Sequence, residues 1–272
     1  MNYRVIALDL DGTLLTSQKT LLPETVSALA DARRAGVDVI LVTGRHHSAI
    51  HPFYQQLQLS TPAICCNGTY LYDYAAKQVL DNDPMTPEQA EIVLQHLQEQ
   101  GIDGLLYADD AMLYHKPTAH VIRTQAWGET LPAAQRPVFQ QVASLSDAAR
   151  QANKLWKFAL CYPDSDKLAT LADQVSSEAG VTCEWSWVDQ VDIAQQGNNK
   201  GKRLKQWLDG RGIPLEKVIA FGDNYNDLSM LESVGLGVAM GNADAQIKAR
   251  AGLVIGDNDH PSIADTLRER VL

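Results

Sequence analysis

Short apolar runs that stop abruptly at polar residues set the rhythm of this chain. Residues 4–8 (RVIAL), 37–42 (VDVILV), 63–66 (AICC) and 217–221 (KVIAF) have the apolar character of strands covered on both faces. Between the first three lie stretches predicted as helices, one from Pro23 to about residue 35 and one from His46 to about residue 57. Pro23 suits a first helical turn and Gly36 suits a stop. TYLYDYAAKQVL then predicts a β-hairpin turning at residues 75–77.

The middle of the chain is less regular. A helix is expected from about Asp83 to Gln100, followed by short strands and a proline-containing loop in LLYADDAMLYHKPTAHVIRT. AWGETLPAAQRPVF is rich in turn residues, and VFQQVAS, LWKFALCY and TCEWSW read as further strands. Alternation returns with QVDIA near Val191. Helices are then expected over 200–210, 225–232 and 244–251, strands over 217–221, 237–240 and 253–255, and a closing helix runs to Val271. The pattern predicts an α/β protein: a doubly wound, Rossmann-like parallel-sheet core from residues 1–82 and 190–272, with a mixed α/β cap domain inserted at 83–189.

Composition narrows the partners. Among 272 residues, 23 basic and 33 acidic side chains give 23 − 33 = −10, with no Lys/Arg-rich block. That balance argues against nucleic acid or an anionic membrane as the main partner. No apolar run approaches the roughly 20 residues of a membrane span, and MNYRVIALDLDG lacks the features of a signal peptide, so a cytoplasmic address is expected. Cys65, Cys66, Cys161 and Cys183 contain no C-x-x-C pair, which argues against zinc and a disulfide framework. In that compartment the Asn67-Gly68-Thr69 sequon has no meaning for glycosylation.

Four polar clusters fall at strand ends or just after them, where open α/β sheets bind ligands. They are Asp9-Leu10-Asp11-Gly12-Thr13, Thr43-Gly44-Arg45, Asn198-Asn199-Lys200-Gly201 and Gly222-Asp223-Asn224-Tyr225-Asn226-Asp227. Asp9, Asp11, Asp223 and Asp227 near one point would repel unless a cation sat among them. Oxygen ligands without His or Cys favour Mg²⁺. Lys200 adds positive charge, and Thr43 and Gly44 offer a hydroxyl and an N–H at a helix start. Such a set suits phosphoryl transfer. An EF-hand loop from Asp9 fails because Leu14 and Thr20 stand where Gly and Glu are needed. A P-loop at GNNKGKR is one residue short and lacks the Ser/Thr after its Lys, and GLGVAMG has its third Gly one residue late for a dinucleotide fingerprint.

With DLDGT, VTGR, NKGK and GDNYND in this order, the chain resembles the haloacid dehalogenase-like phosphatases, and its long insertion resembles the cap of their Cof-type branch. The resemblance implies that Asp9 is the nucleophile and that Asp11 acts as general acid and then base. It implies Mg²⁺ held by Asp9, Asp223 and the Asp11 carbonyl. Leu10, Thr43, Gly44, Lys200 and Asn226 would hold the phosphate of a small phosphorylated metabolite, with Asp227 in support. Two residues apart on a strand, Asp9 and Asp11 would share one side. GRHHSAIHPFY, AICCNGTYLYDY and CEWSWVDQVDIA are similar to pyridoxal phosphate phosphatases of the branch, whose commoner substrates are sugar phosphates. A phosphomutase or a phosphate-sensing module would draw on a similar set of groups.

The remaining candidates have plainer readings. Arg45 either binds phosphate or braces its helix. His47 and His51 have a metal-ligand spacing without a third ligand, so with His46 they are read as lining a cleft rim or facing solvent. Trp185 and Trp187 alternate onto one strand face, where packing competes with stacking on a substrate, as it does for Tyr107 and Tyr114. Asp109-Asp110 marks a turn or a specificity loop.

Overall fold

The computed structural model describes residues 3–272, with the side chain of Trp187 outside the description. Contacts divide the chain into two compact units: Met1–Gly44, Phe53–Leu80 and Asn199–Leu272 in the first, Arg45–Pro52 and Asp81–Asn198 in the second.

The first unit begins with β1 (Val5–Leu8), buried along its whole length. Each large aliphatic side chain so placed contributes roughly 1.5–3 kcal/mol of transfer free energy. In α1 (Pro23–Arg34), Glu24 in the first turn and Arg33 and Arg34 in the last complement the helix dipole. β2 (Asp38–Leu41) pairs in parallel with β1. The helix expected from His46 is broken into a 3-10 turn, His47–Ala49, and α2 (His51–Gln56), whose first turn takes Pro52. A proline is tolerated there but not in a helix interior. β3 (Ala63–Cys65), β4 (Tyr70–Asp73) and β5 (Gln78–Asn82) form a separate three-stranded sheet. The expected third core strand thus meets β2 only through a parallel bridge between Val42 and Ile64.

In the second unit, α3 (Pro87–Gln100) opens on a Thr86/Gln89 capping box and closes on left-handed Gly101. β6 (Gly104–Ala108) and β7 (Ala111–Tyr114) form a hairpin turned at Asp109-Asp110. Asp109 has φ 44°, and it accepts from the Asn153 and Lys154 N–H groups through its carboxylate. Residues 119–129, read as strand and turn, are a helix, α4 (Ala119–Glu129), capped by Thr118. β8 (Phe139–Gln141), α5 (Leu145–Gln151), β9 (Leu155–Cys161), α6 (Ser165–Ala179), β10 (Val181–Trp187) and β11 (Gln190–Gln195) complete the unit. Its sheet has the order β10-β11-β9-β6-β7-β8. Leu106, Phe158, Leu160, Val191 and Ile193 form its core with Leu94, Leu97, Leu168 and Leu171 of α3 and α6. β11 pairs with β10 and β9, so this unit runs to Asn198, not residue 189. The backbone register shifts between Trp185 and Trp187, and the expectation of a shared face lies outside the described residues because the Trp187 side chain does. Trp185 packs against the core of this unit.

The chain re-enters the first unit with α7 (Lys200–Asp209), β12 (Val218–Gly222), α8 (Leu228–Leu231), β13 (Leu236–Ala239), α9 (Ala245–Arg250), β14 (Leu253–Val254) and α10 (Ser262–Arg270). The main sheet is wholly parallel, in the order β14-β13-β12-β1-β2. Successive strands leave β1 on opposite sides, so the order reverses between β1 and β12. A crevice opens at such a switch point beyond the carboxyl ends of the strands. Among the described residues no helix is long and apolar enough to cross a membrane.

Candidate active site

Asp9 follows the last residue of β1 and Asp223 follows the last residue of β12, so both stand at the switch point. Lys200 reaches the same place from the first turn of α7. A cation there opposes the helix dipole, and two carboxylates offset this: Lys200 Nζ donates to Asp9 Oδ1 and to Asp227 Oδ1, each at 2.6 Å. Lys200 and Asp227 are fully buried, and Asp9 and Asp223 nearly so. Asp227 Oδ2 accepts from the Asp223 and Asn224 N–H groups at 2.9 and 3.0 Å, tying the loop onto itself. Thr13 Oγ1 donates to Asp223 Oδ1 at 2.7 Å.

One ammonium among three carboxylates leaves excess negative charge in a dry place. Burial pushes the Asp9 carboxyl well above the usual carboxylate range; Lys200 pulls it down, and Asp227 and Asp223 push it further up. Burial and the charge of Asp227 raise Asp223 to about 7, against the Thr13 hydrogen bond and Lys200. Burial alone would lower the Lys200 pKa, but Asp227 and Asp9 outweigh it and raise it. Carboxylate oxygens of Asp9, Asp223 and Asp227 lie within 4.8 Å of one another. An all-oxygen donor set with surplus negative charge fits a hard divalent cation.

Asp11 sits differently from Asp9. β1 ends at Leu8, so strand alternation does not extend to residue 11, and the expected shared side does not follow from it. Gly12, at φ 82°, turns the chain away, and Asp11 is half-exposed with its carboxylate 2.8 Å from Lys19 Nζ. The acidic cluster therefore gathers Asp9, Asp223 and Asp227 by their side chains, without the Asp11 carboxylate.

The other expected site residues line the same unit. Leu10 is buried, and Thr43 is buried where β2 has just ended. Gly44 follows it, packed on the Asn67 carboxamide: a Cβ there would lie 2.9 Å from Asn67 Oδ1. Asn226 Nδ2 donates to the same oxygen at 3.1 Å. Thr13 and Asn67 were not singled out as site residues from the sequence. Thr13 closes the DLDGT run, and Asn67-Gly68 comes just past the end of β3, a pair of residues that favours a sharp turn.

Arg45 and the three histidines belong to the second unit. Arg45 donates to the Ala49 carbonyl and lies over the Trp127 ring at 5.6 Å, a bracing role. His46 Nε2 donates to the Asp109 carbonyl at 3.2 Å, and its Nδ1 accepts from Ser48 N–H, which defines a neutral tautomer. His51 contacts the Ala134 carbonyl. His46 and His47 are buried rather than solvent-facing. Tyr107, Lys157 and Asp192 lie on the sheet face opposite the core of the unit, by register with β9. Lys157 Nζ is 2.5 Å from Asp192 Oδ2 and 4.7 Å from the Tyr107 ring centre.

Burial holds His46 at about 4 despite the Asp109 carbonyl, and burial with its neighbouring histidines holds His47 at about 2. The Asp110 carboxylate, 3.4 Å from His47, is largely solvated and does not reverse this. Below about pH 6.5 the unfolded histidines take up protons that the folded ones refuse, so stability falls as pH drops toward 4. Each contributes a slope of about 1.4 kcal/mol per pH unit in that window. Urea midpoints between pH 7 and 4 are expected to show this acid limb, and His46→Gln is expected to make it shallower by about one proton. An unchanged slope in that variant would place the acid sensitivity elsewhere.

A family model described as haloacid dehalogenase-like hydrolase matches residues 6–267. Among curated proteins, the chain is 60% identical to the pyridoxal phosphate phosphatase YbhA of Escherichia coli, over 100% of both chains. It is 28% identical to the 5-amino-6-(5-phospho-D-ribitylamino)uracil phosphatase YitU of Bacillus subtilis, over 97% of this chain and 96% of that one. Among solved structures, a haloacid dehalogenase-like hydrolase from Bacteroides thetaiotaomicron superposes with a TM-score of 0.85 at 23% identity, covering 98% of this chain and 99% of that one.

Proposed function

As a member of the haloacid dehalogenase-like hydrolases, to which the chain belongs, the protein is a phosphatase, and we propose that it hydrolyses pyridoxal 5′-phosphate through Asp9 with Mg²⁺ held by the acidic cluster. The observation that carries the substrate is the 60% identity along the whole chain to an enzyme of that activity. In this reading an Asp9 oxygen attacks phosphorus and the ester oxygen leaves, taking a proton from Asp11. Asp11 then accepts a proton from the water that cleaves the aspartyl phosphate, returning Asp9 and free phosphate. Leu10 N–H, Thr43, Gly44 N–H, Lys200 and Asn226 hold the phosphoryl oxygens. Asp227 keeps Lys200 in place. The carboxylates of Asp9 and Asp223 with the Asp11 carbonyl would hold Mg²⁺, which supplies positive charge against the phosphoryl oxygens when bound. A cytoplasmic address belongs to the same proposal, since a charged phosphomonoester does not cross membranes unaided.

Gly12 supplies a test of the acidic cluster. A Cβ there would lie 2.3 Å from Asp223 Oδ2, at a φ that side chains rarely adopt. Gly12→Ala is expected to cut kcat/KM by about 100-fold through displacement of Asp223, read in a steady-state phosphate-release assay. Activity within twofold of wild type would remove Asp223 from the proposed metal set.

The substrate is tested by Mg²⁺-dependent phosphate release from pyridoxal 5′-phosphate, hexose phosphates, nucleotides and a sugar bisphosphate. The highest kcat/KM is expected for pyridoxal 5′-phosphate. A ranking led by sugar phosphates would leave the chemistry standing and replace the substrate.

A further inference from the structure

The turn that follows β3 holds three residues in left-handed backbone, the first of them, Cys66, against its own preference. Cys66, Asn67 and Gly68 have φ of 50°, 54° and 90°, three left-handed residues in succession. Only glycine adopts such backbone freely, with asparagine the next most tolerant residue. Strain of this kind persists where the surrounding structure over-determines it. Here neighbours come from three of the strand-end clusters and from α7. Asn67 N–H donates to the Thr43 carbonyl at 3.0 Å. Its side-chain Oδ1 accepts from Asn226 Nδ2 at 3.1 Å and faces the Cα of Gly44. A Cβ on Gly68 would lie 2.2 Å from the carbonyl oxygen of Asn199, the cap of α7. Buried Arg203, one turn along α7 from Lys200, donates to the carbonyls of Gly68 and Thr69 at 2.9 and 3.3 Å. Asn67 itself is 3% exposed.

We propose that Asn67 is a positioning residue of the phosphate cradle, holding the Asn226 carboxamide and the Gly44 backbone in register with the helix that carries Lys200. The turn joins three segments far apart in sequence, and Asn67 contacts two of them directly. By accepting one Asn226 hydrogen, Asn67 fixes the rotation of that amide and leaves its second hydrogen for a phosphoryl oxygen. This rests on the reading of Asn226 and Gly44 as phosphate contacts.

The test is a double-mutant cycle on Asn67→Gly and Asn226→Ala, reading kcat, KM, the inhibition constant of inorganic phosphate and the melting temperature. Glycine keeps the left-handed backbone and removes only the carboxamide, so Asn67→Gly is expected to melt close to wild type. It is expected to lower kcat/KM and weaken phosphate inhibition by about 10-fold, and by less than about twofold once Asn226 is alanine. Wild-type kinetics in Asn67→Gly, or an equal loss in both backgrounds, would overturn the proposal. If Asn226→Ala alone leaves kcat/KM and phosphate inhibition unchanged, the reading of Asn226 falls first and the inference falls with it. Should the glycine variant melt early, Asn67→Asp keeps an acceptor and the left-handed preference but sets a negative charge beside the anion. Phosphate inhibition is then expected to weaken by about 10-fold, and an unchanged constant would overturn the proposal.

Discussion

Asp9→Asn is expected to lower kcat by about 10⁴-fold or more, as loss of a covalent nucleophile does elsewhere, while leaving the melting temperature at or above wild type. The two halves of this result have one cause. Asp9 is buried among Asp223 and Asp227 with a single ammonium to offset them, and burial raises its pKa more than Lys200 lowers it. Its charge is therefore costly to the folded state in the absence of a cation. Asparagine has nearly the same shape and keeps an oxygen for the Lys200 hydrogen bond, but it carries no charge to desolvate and cannot form an acyl phosphate. Stopped assays for phosphate and thermal melts in EDTA check both halves. Residual turnover near wild type would remove the nucleophile assignment. A large fall in melting temperature would show instead that Asp9 helps to hold the fold.

Lys200→Met is expected to act the other way, costing stability as well as activity. Removing one partner of a buried ion pair leaves charge uncompensated, at about 3–5 kcal/mol. Lys200 is shared by two carboxylates at 2.6 Å and has no access to solvent, so water cannot take its place. The variant should lose that much in urea unfolding in EDTA, by a shift of the midpoint at constant slope. Phosphate release should fall by about 10²–10³-fold, the scale seen when one preorganised stabiliser of transition-state charge is lost. Lys200→Arg should not rescue it, because a planar guanidinium presents its donors differently from an ammonium and needs more room. A loss below about 1 kcal/mol would mean that the carboxylates have another partner.

The candidate site could be proposed from the sequence because chemistry interrupts pattern. Apolar strands that stop just before Asp9, Thr43 and Asp223 place those groups beyond the sheet whatever the details of packing. The same logic could not say where Asp11 points, because the strand stops at Leu8 and glycine dihedrals decide the rest. Nor could it assign QVDIA to a sheet, since β11 and a core strand look alike in sequence and only long-range pairing tells them apart. Helix α4 was missed because Val121, Ile122 and Thr124 are β-branched and Gly128 lies inside it, all of which weigh against a helix locally. The histidine segment read as one helix, although Pro52 marked the restart. Asn67 was set aside as an idle sequon, while its left-handed turn is a feature of tertiary packing that the letters Asn-Gly only permit.

In this mechanism phosphate passes through a covalent bond to Asp9. The direct measurement is acid quench of the Mg²⁺-loaded enzyme within one turnover of a ³²P-labelled phosphomonoester, followed by peptide mapping. Label is predicted on the peptide containing Asp9, stable in acid, released by hydroxylamine and absent from Asp9→Asn. Phosphate released at the normal rate with no label on that peptide at any quench time would rule out the aspartyl phosphate and point to direct attack by water.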